Sequence, residues 1–206
     1  MKNLILLLAI TSVFLYACSD NGINETDGPV SGDNNPNDNK DISNEGGLWG
    51  VDKKLVFDGG PGKDGIPALI NPSLISPDKA NYLLEDDLVL GLKYGDQIIA
   101  YPHRILDWHE IINADIGSLS IAIVYCPLTG TGVGWNRNIN NEKTTFGVSG
   151  LLYKNNIIPY DRATDSNWSQ LELECINGRL LGKMPEITVL TEMKWGLWKK
   201  HKSTWN

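Results

Sequence analysis

The chain has 206 residues, 21% charged side chains and a formal net charge of −7. An acid surplus of this size makes nucleic acid and anionic lipid headgroups poor partners, so no nucleic-acid role is expected. About 160 residues follow a polar N-terminal stretch that ends near residue 47, enough for one domain with a real core.

Met1-Lys2-Asn3 is a short basic start, residues 4–14 are apolar, and Leu15-Tyr16-Ala17-Cys18 fits a lipobox. The apolar run is shorter than the roughly 20 residues that a spanning helix needs, so residues 1–17 read as a signal peptide that is removed. The Cys18 thiol would accept the diacylglycerol, and the small Ala17 lets a peptidase reach the bond. The membrane is therefore the partner that the sequence names, held through lipid (palmitate-type acyl chains) on Cys18; two or more chains make such an anchor stable. Ser19, in place of Asp, follows the cysteine, a pattern of sorting to the outer membrane. An envelope location results, with its periplasmic and surface-exposed sides both open. Loss of the leader removes one Lys and no acid and moves the formal charge to −8.

Residues 18–47 carry the lipid site and then an Asn/Asp-rich stretch; residues 19–47 hold seven Asn, five Asp and two Glu. Such a segment buries too little apolar surface to offset its ordering entropy and reads as a tether. The single globular domain is expected over 48–206. Residues 58–67 are turn-rich, but Lys63 is followed by Asp64 and Gly65, not by the Ser or Thr of a phosphate loop. Residues 88–94 and 97–101 flank Gly95-Asp96 as a hairpin. Pro102 suits the first turn of a short helix over 103–113, with Ile105, Trp108, Ile111 and Ile112 at helical spacing. Residues 118–125 form an apolar strand ending at Cys126-Pro127. Strands are expected at 144–149 and 151–158, the second with an Asn155-Asn156 turn. A hairpin is expected over 171–181 around Asn177-Gly178, and a last helix over 191–202. Short strands, frequent turns and few helices predict an α+β, mainly β domain built of antiparallel strands and hairpins.

Cys126 carries two readings. At a strand end beside Gly130-Thr131-Gly132-Val133-Gly134, it could be a thiolate next to backbone donors. It could equally be a buried thiol beside a Gly-rich strand that packs closely. His103 and His109 flank the short helix; six residues place them about 120° apart on a regular helix, and they converge only if His103 sits at the helix mouth. Zinc or copper would want three or four ligands, and His103, His109 and Cys126 are the candidate set. The alternative pairs one imidazole with Asp107 or Glu110 and leaves the other to solvent. Residues 160–170 hold Asp161, Arg162, Asp165 and Trp168: a possible acid–base pair or His-orienting carboxylate, or a structural loop in which Arg162 pairs with an acid. Cys126 and Cys175 are the two thiols left after lipidation, and the envelope permits a disulfide between them.

Five stretches together resemble the bacterial family known as domain of unknown function 3179. They are Gly65-Ile66-Pro67-Ala68, then residues 100–111 (AYPHRILDWHEI), Tyr125-Cys126-Pro127-Leu128-Thr129-Gly130-Thr131, residues 145–153 (TFGVSGLLY), and Tyr160-Asp161-Arg162 through Trp168-Ser169-Gln170. The resemblance covers residue 55 to the end and implies an envelope protein, often a lipoprotein, without naming a reaction. Many relatives show Cys-Pro-Leu-Cys-Gly at the strand end, whereas Thr129 stands here at the second thiol. The resemblance therefore implies no Cys-x-x-Cys pair unless Cys175 substitutes. Relatives also continue past the 195–198 region, which implies a C-terminus cut short at Asn206.

Three functions follow. The favoured one is a membrane-anchored binding or scaffold domain. The others are a zinc or copper protein through His103, His109 and Cys126, and a thiol-dependent enzyme with Cys126 as nucleophile, His109 as base and Asp107 or Asp161 orienting it.

Overall fold

Residues 119–126 (LSIAIVYC) have no polar face because their sheet is covered on both sides. In the computed structural model, which describes residues 47–201, this strand is the centre of a layered β-structure. The expected signal peptide, the lipid site Cys18 and nearly all of the tether lie outside the described residues.

The strands in chain order are β1 (Val56–Asp58), β2 (Leu69–Ile70), β3 (Leu88–Tyr94), β4 (Gln97–Pro102), β5 (Ile111–Ile116), β6 (Leu119–Cys126), β7 (Thr131–Asn136), β8 (Asn138–Ile139), β9 (Glu142–Lys143), β10 (Phe146–Tyr153), β11 (Asn156–Asp161), β12 (Asn167–Ser169), β13 (Glu174–Asn177), β14 (Ile187–Thr188) and β15 (Thr191–Lys194). Helix α1 (His103–His109) follows β4, and α2 (Trp195–His201) follows β15. The central sheet runs β14-β7-β6-β5-β2, a second sheet β1-β10-β11-β12-β13, and a third β15-β3-β4, with β8-β9 a small hairpin. Every pairing is antiparallel except β2 with β5. The domain is thus α+β and mainly β, as the sequence predicts.

Alternation along β6 sets the layers. Ile121, Ile123 and Tyr125 pack with Leu90, Leu92, Ile99 and Leu106 of the third sheet and α1. Ala122, Val124 and Cys126 pack with Trp135, Phe146, Val148 and Trp168 against the second sheet. Polar side chains stitch the layers where backbone groups would otherwise be unpaired. Asn113 is fully buried; its amide donates to the Phe146 carbonyl at 2.9 Å and accepts from the Phe146 N–H at 2.8 Å, joining β5 to β10. Buried Gln170 donates to the carbonyls of Val124 and Thr131. Buried Arg137 donates to the carbonyls of Thr144 and Ala114 and to Asp115 Oδ1.

Three boundaries differ from the sequence reading. Helix α1 stops at His109, because Glu110 adopts φ 56° and turns the chain into β5, so Ile111 and Ile112 are strand residues on opposite faces. Helical and strand spacing both place apolar residues there, and the covered sheet decides. Residues 191–194 form β15, paired with β3, and only 195–201 are helical. Finally, β10 is one strand from Phe146 to Tyr153, with a register shift between Val148 and Leu152 in its pairing with β11, and it turns at Lys154-Asn155, both left-handed, while β13 pairs with β12. The chain after Gly178 still returns beside β13: Cys175 exchanges backbone hydrogen bonds with Gly182 and Lys183.

Candidate functional site

The strand-end cysteine does not meet the histidines. Tyr125 and Cys126 are neighbours on β6 and so face opposite layers. His103 packs on Tyr125, with ring centroids 4.6 Å apart, whereas the Cys126 side chain has no exposed surface and directs its thiol at the Asn155 carbonyl, 3.8 Å away. The Cys126 thiol has the Asn155 carbonyl as its partner and His109 Nδ1 the Pro67 carbonyl, so the two side chains are not hydrogen-bonded to each other as a dyad requires. Among the described residues no three His, Cys, Asp or Glu side chains are grouped to hold a metal ion, so His103, His109 and Cys126 are not a zinc or copper ligand set. Cys126 and Cys175 are both buried free thiols, and the possible disulfide between them is not made. Cys175 directs its thiol at the Asn177 carbonyl, and burial pushes its pKa up to about 11.

Of the glycine run beside Cys126, Gly132 and Gly134 lie on β7 and Gly130 in the turn before it. A Cβ on Gly132 would run into the Leu90 side chain, and one on Gly134 would lie 2.7 Å from the Thr188 carbonyl oxygen. Gly132 thus allows close packing between layers, and Gly134 allows the close approach of β14 within the sheet. Thr129 accepts from the Asn156 amide at 2.9 Å and contacts Thr131 Oγ1 at 2.8 Å.

The 160–170 loop is structural. Asp161 is buried and its carboxylate accepts from the Thr164 N–H, the Thr164 hydroxyl and the Trp168 indole N–H. It orients no histidine. Arg162 pairs with Asp64 at 2.7 Å and donates to the Phe146 carbonyl, and Tyr160 donates to the other oxygen of Asp64. Asp165, at φ 60°, is ion-paired with Lys63.

His109 is placed differently. Its Nδ1 lies 2.7 Å from the Pro67 carbonyl oxygen. A carbonyl only accepts, so Nδ1 carries the proton and Nε2 is the ring atom left for another partner. His109 lines a cavity of about 460 Å³ whose walls include Leu83, Ile99, Tyr101, Ile105, Trp195 and Trp198. That volume falls in the range of small-molecule sites, which are largely apolar with a few placed polar groups. Tyr101 contributes a buried phenol whose pKa burial pushes up to about 12, so its hydroxyl stays protonated. His109 is a candidate from sequence, but no local pattern marks its cavity, because the lining comes from segments up to 129 residues apart in the chain, Leu69 to Trp198.

Glu110, next to His109, is the residue the sequence reading treated only as a possible partner. It is buried, its Oε2 has no hydrogen-bond partner, and burial pushes its pKa up to about 7. A non-glycine residue at positive φ with a buried, unpaired carboxyl is a local strain held by the surrounding packing.

The family model described as a protein of unknown function, DUF3179, matches residues 63–204. The chain belongs to this family. No curated protein and no solved structure matches it. The matched span contains the whole lining of this chain's cavity, from Leu69 to Trp198, together with His109 and Glu110.

Proposed function

We propose that this DUF3179 member is a membrane-anchored envelope lipoprotein whose domain binds a small amphiphile, an acyl-chain-like body with a hydroxyl head. The observation that carries this is the 460 Å³ apolar cavity with His109 in its lining and Nδ1 fixed on Pro67. Apolar walls take the chain through the hydrophobic effect, and Nε2 supplies one acceptor for the head. The lipobox at Cys18 supports the anchor, and Cys18→Ser should move the protein from the membrane to the soluble fraction on cell fractionation.

Tryptophan fluorescence tests the binding reading, because Trp195 and Trp198 line the cavity. Titration with 1-decanol should give a saturable change in tryptophan emission. His109→Leu should weaken the affinity about fivefold to tenfold, the worth of one net hydrogen bond. An unsaturable response, or equal affinity in wild type and His109→Leu, would count against the head-group role.

A further inference from the structure

The apolar cavity runs along an open sheet edge. In the third sheet, β15-β3-β4, strand β4 is terminal: among the described residues it pairs with β3 on one side and with no strand on the other. Ile99 and Tyr101 pack on one face of that sheet, with Leu106 and Ile112. Ile98 and Ala100 pack on the other, with Trp195 and Trp198. Yet all four of these β4 residues line the one cavity. Successive strand residues point to opposite faces, so a space that meets both sets passes along the free edge between them. An edge strand turns the N–H and C=O of every second residue away from its neighbour. On β4 those groups therefore border the cavity. Among the described residues no backbone group outside β3 bonds to Ile98, Ile99, Ala100 or Tyr101. Residues 72–75, which share the cavity, form no strand and make no backbone bond to β4.

A plain alkyl chain laid along this edge would strip water from those groups and return no hydrogen bond, which costs free energy. A ligand that pairs there needs an N–H and a C=O on the same side. A single trans amide points them in opposite directions, whereas the N–H and C=O that flank one α-carbon in an extended unit point the same way, as in an added strand. We propose that the amphiphile of this cavity carries an N-acylated amino acid unit. Its N–H donates to a β4 carbonyl, its following C=O accepts from a β4 N–H, and its acyl chain lies on the apolar walls. The pairing presupposes amphiphile binding in the cavity and adds to it the class of amphiphile.

The same unit occurs in free N-acyl amino acids and at acylated chain termini, so N-octanoylglycine and N-octanoylglycine 2-hydroxyethylamide serve as separate probes. Each is compared with its ester isostere, in which oxygen replaces the acylated N–H. Calorimetric titration into the unaltered full chain gives the affinities, with 1-decanol as the reference amphiphile. At least one amide should bind about threefold to tenfold tighter than its ester, the worth of one net hydrogen bond, and the tighter of the two amides names the source. Without the pairing the order reverses, because the amide N–H loses its water on burial and gains no partner. Exchange of one or more backbone N–H groups of residues 98–101 should also slow with the bound amide. Esters that bind as tightly as both amides, or tighter, would overturn the strand-like pair and leave amphiphile binding standing, as would 1-decanol binding with no binding of either amide. No saturable binding of any probe, 1-decanol included, would overturn both.

Discussion

Replacing Glu110 with Gln is expected to stabilise the domain by up to about 3 kcal/mol at pH 8 and by almost nothing at pH 4. The folded carboxyl titrates near pH 7 because it is buried, against an ordinary value of 4.5. Below pH 4.5 both folded and unfolded forms hold the proton, and burial carries no charge penalty. Between about 4.5 and 7 the unfolded chain releases the proton while the folded chain keeps it, so stability falls as pH rises. Above 7 the folded state holds an unpaired buried charge and the loss is complete. Gln is neutral throughout, so the difference between variant and wild type should open across that window and then stay constant. Taking the difference removes the pH dependence of every other group, including Asp115, whose bond to Lys143 holds its carboxyl well below the usual range. Urea unfolding of both proteins at pH 4, 6 and 8 measures it. A constant difference across the three would show that Glu110 does not carry the raised pKa.

Trp168→Ala is expected to cost about 3–5 kcal/mol, a large share of the roughly 5–15 kcal/mol that holds an ordinary domain folded. Trp168 is fully buried, with its ring centroid 6.2 Å from Trp135 and 5.8 Å from Phe146. Its indole N–H donates to Asp161 at 3.0 Å. The variant loses the packing between the second and central sheets and removes one of the three donors holding a buried carboxylate. Trp168→Phe keeps most of the apolar volume and loses only the donor, so it should cost less than the alanine change. Chemical denaturation of the two variants against wild type measures the difference. Equal costs would place the stabilisation in the hydrogen bond and not in the packing.

The hairpin at 88–102 was legible because Gly95-Asp96 sits between two strand-length apolar runs, and local turn chemistry fixes that pairing. The apolar strand at 119–126 was legible from composition alone. Its two faces were not, since apolar residues on both sides of the strand carry no mark of which layer each side meets. That single ambiguity produced the mistaken trio of His103, His109 and Cys126: one step along β6 moves a side chain from the histidine layer to the Trp168 layer. Asp161 looked chemical because a buried carboxylate and a catalytic one have the same sequence; only its three donors show it to be structural. The end of α1 was missed because Glu110, not glycine or asparagine, occupies the left-handed position. The cavity and the Glu192 contact to His103 join segments far apart in the chain, and no local pattern encodes them.

The claim that the domain binds an amphiphile within the cavity is tested most directly by calorimetric titration of 1-decanol into wild type and Ala100→Trp. Ala100 lines the cavity, so the indole should occupy the space the ligand needs, and an unchanged unfolding midpoint would show that the fold is kept. Wild type should bind one equivalent with a negative heat-capacity change, the mark of apolar burial, and Ala100→Trp should show no saturable heat. Binding of equal strength in both proteins, or in neither, would contradict the account.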